Sequence, residues 1–341
     1  LRFFRSSRCL FWGQYVGGLT MAEPVVLDWP YEGAQPPPFS EPPVGRAGTL
    51  IVPGSNYVLD LHGDLSDAGL VVFSDGNHHM ALEMACRAFL RSNPAVRDIF
   101  YATAPPGPLI AALDEGGLSI GNMSFAVKPN VFIGPSDVMK RLENSGRVGS
   151  ARPFAKSRGV VLLVRKGNKR RIKAVDDLLR EDVRLACSNP DTEKASFRVY
   201  SESLSALLNG AGGDGETLVR HMKGEVGPGR RPRIAHSTSI HHREIPTLLA
   251  SDAADVAPVY HHLALRYVRI FPDIFEFVPL AGGENAREDF VPGPEHIITT
   301  YHAAVLEDEA GEWGKKFVEF METDEVRSIY KFHGLEPVAA G

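Results

Sequence analysis

The sequence predicts an α/β protein built of two units that face each other across a cleft. Three observations carry this reading. Short apolar runs alternate with helical patterns, and the alternation breaks off and resumes at residue 159. Each apolar run also ends in a polar segment rich in Gly, Pro or His, of the kind that lines the open end of a parallel sheet.

In the first unit, "LVVF" (70–73) is a buried-strand run, and residues 80 to 90 place Met80, Leu82, Met84, Ala85, Ala88 and Phe89 at helical spacing. "VRDIFYAT" (96–103) reads as a second strand and "GPLIAALDEGG" (107–117) as a helix ended by Gly116–Gly117. "PNVFIG" (129–134) gives a third strand, and "SDVMKRLENSG" (136–146) a helix capped by Ser136. Such alternation implies a mostly parallel sheet with crossover helices.

After the break, "GVVLLVRKG" (159–167) is a long strand, "AVDDLLRED" a helix and "VRLACSNP" (183–190) a strand. "SFRVYSESLSALLNG" (196–210) has strong helical spacing with Gly210 as its stop. "RPRIAHST" and "ADVAPVY" frame a helix, "HREIPTLLASD". "FEFVPL" (275–280), "TTYHAAVLE" (299–307) and one closing amphipathic helix, "EWGKKFVEFMETDEVRSIYKFHG", follow, with the last strand and helix able to return to the first unit. The expected division is an arm over 1–67, a first lobe over 68–156, a second over 157–264 and a return to the first over 265–341.

Composition narrows the function. The chain has 341 residues, 43% hydrophobic and 23% charged, as in ordinary globular proteins. Its formal net charge of −5 argues against nucleic acid or an anionic membrane as main partner. No apolar stretch approaches the roughly 20 residues that span a bilayer. Cys9, Cys86 and Cys187 lie far apart without CxxC spacing, so no disulfide framework is expected, and Cys86 and Cys187 read as core residues. "LRFFRSSRCLFWGQYVGGLTMAEP" has a basic start, a loosely apolar middle interrupted by Gln14, and a small-residue cleavage pattern at Ala22. It fits an export signal and a periplasmic or extracytoplasmic location; Met21 as true start, with a cytoplasmic location, stays open. Residues 24 to 53 are proline-rich and read as an extended arm.

Ligands of open α/β sheets bind beyond the carboxyl ends of the strands, where helix N-termini present backbone N–H groups. The segments so placed are Ser74–His79 and Thr103–Gly107 in the first unit, and Asn189–Ser196, Ser237–His242 and Tyr260–His262 in the second. Of the twelve histidines, the doublets His78–His79, His241–His242 and His261–His262, with His236 and His302, fall in or near these segments. In each doublet one ring is expected to point inward and its neighbour outward.

The blocks "GLVVFSDGNHHMAL", "GVVLLVRKGNKRRIKAVDDLLREDVRLACSNPDTEKASFRVYSESL", "ADVAPVYHHLAL" and "HAAVLEDEAGEWGKKFVEFMETDEVRSIYKFHGLEPV" resemble, in order and spacing, the type II periplasmic solute-binding proteins. The molybdate/tungstate-binding branch is the most similar, over about residues 68 to 338. The resemblance implies two lobes joined by crossover strands, a small anionic ligand held by hydroxyls and amides, a monomer, and an ABC-type permease as partner. The serines it implies fall on Asn77 and on Pro106 or Gly107, the amide contacts on Ala195, Ser196 and His242, and the tyrosine on Tyr260. An insertion, "LSIGNMSFAVK" (118–128), occupies a connection that is shorter in the family.

The candidate ligand site is therefore Ser74, Asp75, Gly76, Asn77, His78, Thr103, Pro106, Gly107, Ala195, Ser196, His242 and Tyr260. Pro106 has no N–H and Asp75 repels anions, so an organic carboxylate or substituted oxyanion is preferred over bare molybdate. Asp75 is expected to orient a histidine and keep it protonated. A transition metal held by His78, His242 and His261 is the alternative, as is a ligand sensor on the same fold. No cofactor is expected, and Glu193 and Glu244 read as salt-bridged surface groups. With no nucleophile–base–orienter set and no GxSxG elbow, an enzyme is not expected.

Overall fold

Two sheets, each flanked by helices, organise the chain. A computed structural model describes residues 27, 61–120, 123–225, 233–238, 241–280 and 290–338. The export-signal reading, and all of the proline-rich arm but Leu27, lie outside the described residues.

The elements, in chain order, are β1 (Leu61–His62), β2 (Ala68–Ser74), α1 (His79–Ser92), β3 (Asp98–Thr103), α2 (Pro106–Glu115), β4 (Leu118–Ile120), β5 (Met123–Phe125), β6 (Val131–Pro135), α3 (Ser136–Asn144) and β7 (Arg152–Lys156). There follow β8 (Val160–Arg165), β9 (Leu185–Cys187), α4 (Lys194–Gly210), α5 (Gly215–Met222), β10 (Ile234–His236), α6 (His241–Ala250), β11 (Val256–Tyr260), α7 (His261–Ile270) and β12 (Phe275–Val278). The chain closes with β13 (Thr300–Val305), α8 (Gly311–Phe320), α9 (Asp324–Phe332) and β14 (Glu336–Pro337).

Lobe 1 carries the sheet order β1-β3-β2-β6-β13-β7-β14, and lobe 2 the order β10-β9-β11-β8-β12. Both sheets are mixed rather than mostly parallel. Parallel pairing holds among β3, β2 and β6 and among β10, β9 and β11, while β8, β12, β13 and the remaining edges run antiparallel. Of the antiparallel strands, β8 is where the chain enters lobe 2 and β13 where it returns to lobe 1, each reached from the other lobe rather than by a crossover helix within its own sheet.

Alternation along β2 explains the layering of lobe 1. Leu70 and Val72 face a core shared with α1, α8 and α9, whereas Phe73 faces a second core with α2 and α3. In lobe 2, β8 is buried on both sides from Val160 to Val164, as a central strand covered by helices must be.

Several boundaries depart from the sequence reading. Lobe 2 extends past residue 264, because β12 pairs with β8, and β1 already belongs to lobe 1 within the stretch expected to be an arm. The closing helix is two helices: Thr323 caps α9, with Asp324 and Glu325 in its first turn. Both bury their apolar faces in one core. "AVDDLLRED" forms only a 3-10 turn, Val175–Leu179, and Ser136 begins α3 without capping it. The insertion folds as the β4–β5 hairpin. Helix α5, unread in the sequence, is capped by Asp214, whose carboxylate accepts from the Thr217 N–H at 3.0 Å.

The chain passes from lobe 1 to lobe 2 through residues 157–159. The Ser157 N–H donates to the Thr299 carbonyl at 2.8 Å, and the Thr299 N–H donates to Ser157 Oγ at 3.0 Å, so the outgoing and returning strands are tied together. Gly159 is required there: its φ is +79°, and a Cβ would lie 2.5 Å from the His296 Nδ1.

Candidate functional site

The turn after β2 sets the lobe 1 wall. Asp75 caps a 3-10 turn over Gly76–His78, accepting from the Asn77 N–H at 3.1 Å and from Asn77 Nδ2 at 3.3 Å. Burial raises the Asp75 carboxyl to about 6 against the opposing pull of these Asn77 hydrogen bonds. Asp75 therefore serves the turn and holds no histidine protonated.

This turn separates the doublet. His78 faces into lobe 1: its Nδ1 meets the Tyr330 hydroxyl at 2.9 Å, its Nε2 meets Ser74 Oγ at 3.3 Å, and its ring lies 4.6 Å from that of Tyr301. Burial lowers it to about 3. His79 instead faces lobe 2. Its Nδ1–H donates to the Gly76 carbonyl at 2.9 Å, and its ring stacks on His242 with centroids 5.8 Å apart and planes at 22°.

The same division recurs in lobe 2. His241 goes inward, its Nε2–H donating to the Pro258 carbonyl at 2.9 Å beneath Tyr200, while His242 meets His79. His261 goes inward against Phe277 and Phe290, with Nδ1 3.4 Å from the Gly334 carbonyl. His262 reaches across, its Nε2–H donating to the Asn77 carbonyl at 2.9 Å. The second rings, His79, His242 and His262, meet the opposite lobe around Gly76 and Asn77, while His261 also touches lobe 1 through Gly334.

The walls meet at Gly76: a Cβ there would be in van der Waals contact, at 3.5 Å, with His242 Cε1 and with the carbonyl oxygen of the buried Thr103. Tyr260 is buried between Tyr200 and His262, and its hydroxyl pairs with Thr299 Oγ1 at 3.1 Å on the returning strand. At the rim, Arg198 of α4 bonds Asp137 of α3 at 3.1 Å.

The helix starts expected to cradle an anion are altered. Helix α2 has Pro105 at its N-cap and Pro106 in its first turn, with Pro108 following, so only Gly107 and Leu109 retain N–H groups there. The α6 start carries a carboxylate of the chain itself. Glu193, buried rather than a surface ion-pair partner, accepts from the His241 N–H at 2.8 Å and from the Ser237 hydroxyl. Burial raises its carboxyl above the usual range. Ser196, at the start of α4, is half-buried and Ala195 exposed. Glu244 accepts from the Thr238 N–H at 2.8 Å.

The predicted residues are thus sorted. Gly76, Asn77 and His242 come together at the junction, Asn77 through its carbonyl rather than its amide. Ser74, Asp75, Thr103 and Tyr260 stand directly behind it, and Pro106, Gly107, Ala195 and Ser196 sit at helix starts. His78, His242 and His261 do not converge on a metal: His78 is held inside lobe 1, His261 turns to the Gly334 carbonyl, and among the described residues no three His, Cys, Asp or Glu are grouped to bind one. The residues passed over were His79 and His262, the second members of their doublets. Their signal was the doublet pattern itself; at the first doublet a 3-10 turn ends at His78 and α1 begins at His79.

Comparison with known proteins agrees with this architecture. No curated protein sequence matches the chain. The fold is similar to the substrate-binding protein of an ABC transporter from Agrobacterium tumefaciens (TM-score 0.60, 16% identity, 84% of this chain and 87% of that one). It is also similar to the sulfate-binding protein of Mycobacterium tuberculosis (TM-score 0.55, 18% identity, 79% and 86% covered). The periplasmic molybdate-binding protein of Azotobacter vinelandii gives a TM-score of 0.54 at 18% identity, with 80% and 100% covered. At such identities the likeness is one of fold. The family model described as "Bacterial extracellular solute-binding protein" matches residues 70–336. The chain accordingly belongs to the bacterial extracellular solute-binding proteins, a family of binding proteins rather than enzymes.

Proposed function

We propose that the protein binds a small anionic solute, an organic carboxylate or substituted oxyanion, between its lobes and presents it to an ABC-type permease. The observation that carries this is the direct meeting of the two strand-end walls, Gly76 against His242 and the Asn77 carbonyl against His262. A ligand touching both walls is favoured only when they are close, so binding selects the closed arrangement that a permease can read. Solved proteins of this fold are named for molybdate and sulfate, which supports an anion. The prolines of α2 and the Glu193 carboxylate on α6 remove much of the amide cradle that a bare tetrahedral anion needs. That favours a ligand held by side chains.

A thermal-shift series tests the reading. A ligand at about 100 times its Kd stabilises by about 2.7 kcal/mol, which raises the melting temperature measurably. A shift is expected with small mono- or dicarboxylates and a smaller one, or none, with molybdate, tungstate and sulfate. No shift with any of these anions removes the reading.

A further inference from the structure

We propose that His79 and His242, assisted by Arg243 and His62, form the ligand site of the cleft and take up a proton together with the anion they bind. This deepens the anionic-solute reading above and rests on it.

Two buried nitrogens carry the inference. His79 Nε2 and His242 Nε2 are enclosed and have no hydrogen-bond partner, although the rings belong to different lobes and stack on each other. A buried polar atom left unsatisfied costs about 1–3 kcal/mol, so two at one contact between lobes form a place built to receive something. For His79 the proton arrangement is fixed by geometry. Its Nδ1 faces the Gly76 carbonyl, which only accepts, so Nδ1 carries the hydrogen and Nε2 is a bare lone pair when the ring is neutral.

The surroundings keep these rings neutral in the unliganded protein. Burial lowers His79 well below its ordinary range, followed by Arg243, His242 and His62, with the Gly76 carbonyl opposing. Burial likewise lowers His242, followed by Arg243, His241 and His262. His62, stacked on Tyr101, is lowered to about 4 by burial and then by Arg243, and its Nε2 is also unpartnered. Asp75, on the preceding turn, directs its carboxylate to Asn77. The groups acting on the pair are thus bases from β1, α1, α6 and α7.

An anion placed beside a lone pair is repelled, whereas an anion beside an imidazolium makes a charge-assisted hydrogen bond. Its charge also offsets Arg243 and the neighbouring rings, which add to burial in holding the proton off. Binding and protonation therefore promote each other, with the proton on Nε2 between ring and ligand. The count is the same whether it arrives from water or on the ligand.

Titration calorimetry with succinate, lactate, sulfate and molybdate tests this in Tris and triethanolamine at one pH, and then across pH. Proton uptake makes the observed heat differ between the buffers, and with one proton the Kd falls about tenfold per unit as pH is lowered. His79→Asn keeps an amide donor near the Gly76 carbonyl but deletes Nε2, and with His242→Asn it is expected to weaken binding tenfold or more and abolish the uptake. Arg243→Met, which leaves both rings in place, should weaken binding while retaining the uptake and so covers misfolding of either histidine variant. Binding with no proton uptake, or unchanged in both histidine variants, overturns the proposal and leaves the solute-binding reading standing. No binding of any of the four anions overturns both.

Discussion

At the scale of single residues, the buried ionisable groups behind the cleft set how the protein responds to pH. Asp75 has its carboxyl raised from 3.8 to about 6 by burial, so the folded state holds the proton more tightly than the unfolded chain. Its contribution is greatest below pH 4 and is lost as pH rises through about 6. Asp75→Asn, whose amide oxygen still accepts from the Asn77 N–H, is expected to remove this loss and to be more stable than wild type at pH 7 by about 1–3 kcal/mol, read from urea midpoints. His78 has the opposite sign. Its folded value, lowered to about 3 by burial, lies below the ordinary 6.5, so its stabilisation is present above pH 6.5 and is lost as pH falls toward 3. His78→Phe should abolish that acid loss, yet lower stability at neutral pH by about 1–3 kcal/mol because Tyr330 and Ser74 lose their partner. A wild-type acid limb between pH 3 and 6.5 that persists unchanged in His78→Phe would contradict the assignment.

At the scale of elements, what was legible in the sequence was whatever local periodicity controls. Strand β2, helix α1 with its Leu82–Ala85–Phe89 spacing, and α4 were readable because one face of each is apolar and its end is marked. The helix break at Thr323 was hidden because both halves are amphipathic and bury into one core. The histidine doublets were visible as a pattern, but which ring turns across depends on partners distant in the chain, Tyr330 for His78 and the Asn77 carbonyl for His262. Glu193 was misread for a related reason. Its partners, Ser237 and the His241 N–H, lie more than forty residues on, at the start of another helix. The crossover at Gly159 gives an element-scale prediction. Gly159→Ala forces a left-handed φ on a residue with a Cβ and drives it into His296, at a cost of about 1–2 kcal/mol or more. A denaturant midpoint equal to wild type would show that the turn relaxes freely.

At the scale of the whole molecule, the two lobes meet through polar and ring contacts, with Met80 of α1 reaching into the lobe 2 core. The Arg198–Asp137 pair at the rim is more than half exposed on both sides and, as an exposed pair, is worth about 0.2–1 kcal/mol. Arg198→Ala should shift the lobes toward the open form by no more than a few-fold, an effect that vanishes in high salt and that inter-lobe fluorescence transfer would detect. The reciprocal bonds between Ser157 and Thr299 have a mechanical consequence. Two strands joined side by side behave as one leaf: they flex about a line across both, but cannot rotate against each other without parting. The jaws consequently have a single easy direction of travel, and every opening brings them back in the same alignment.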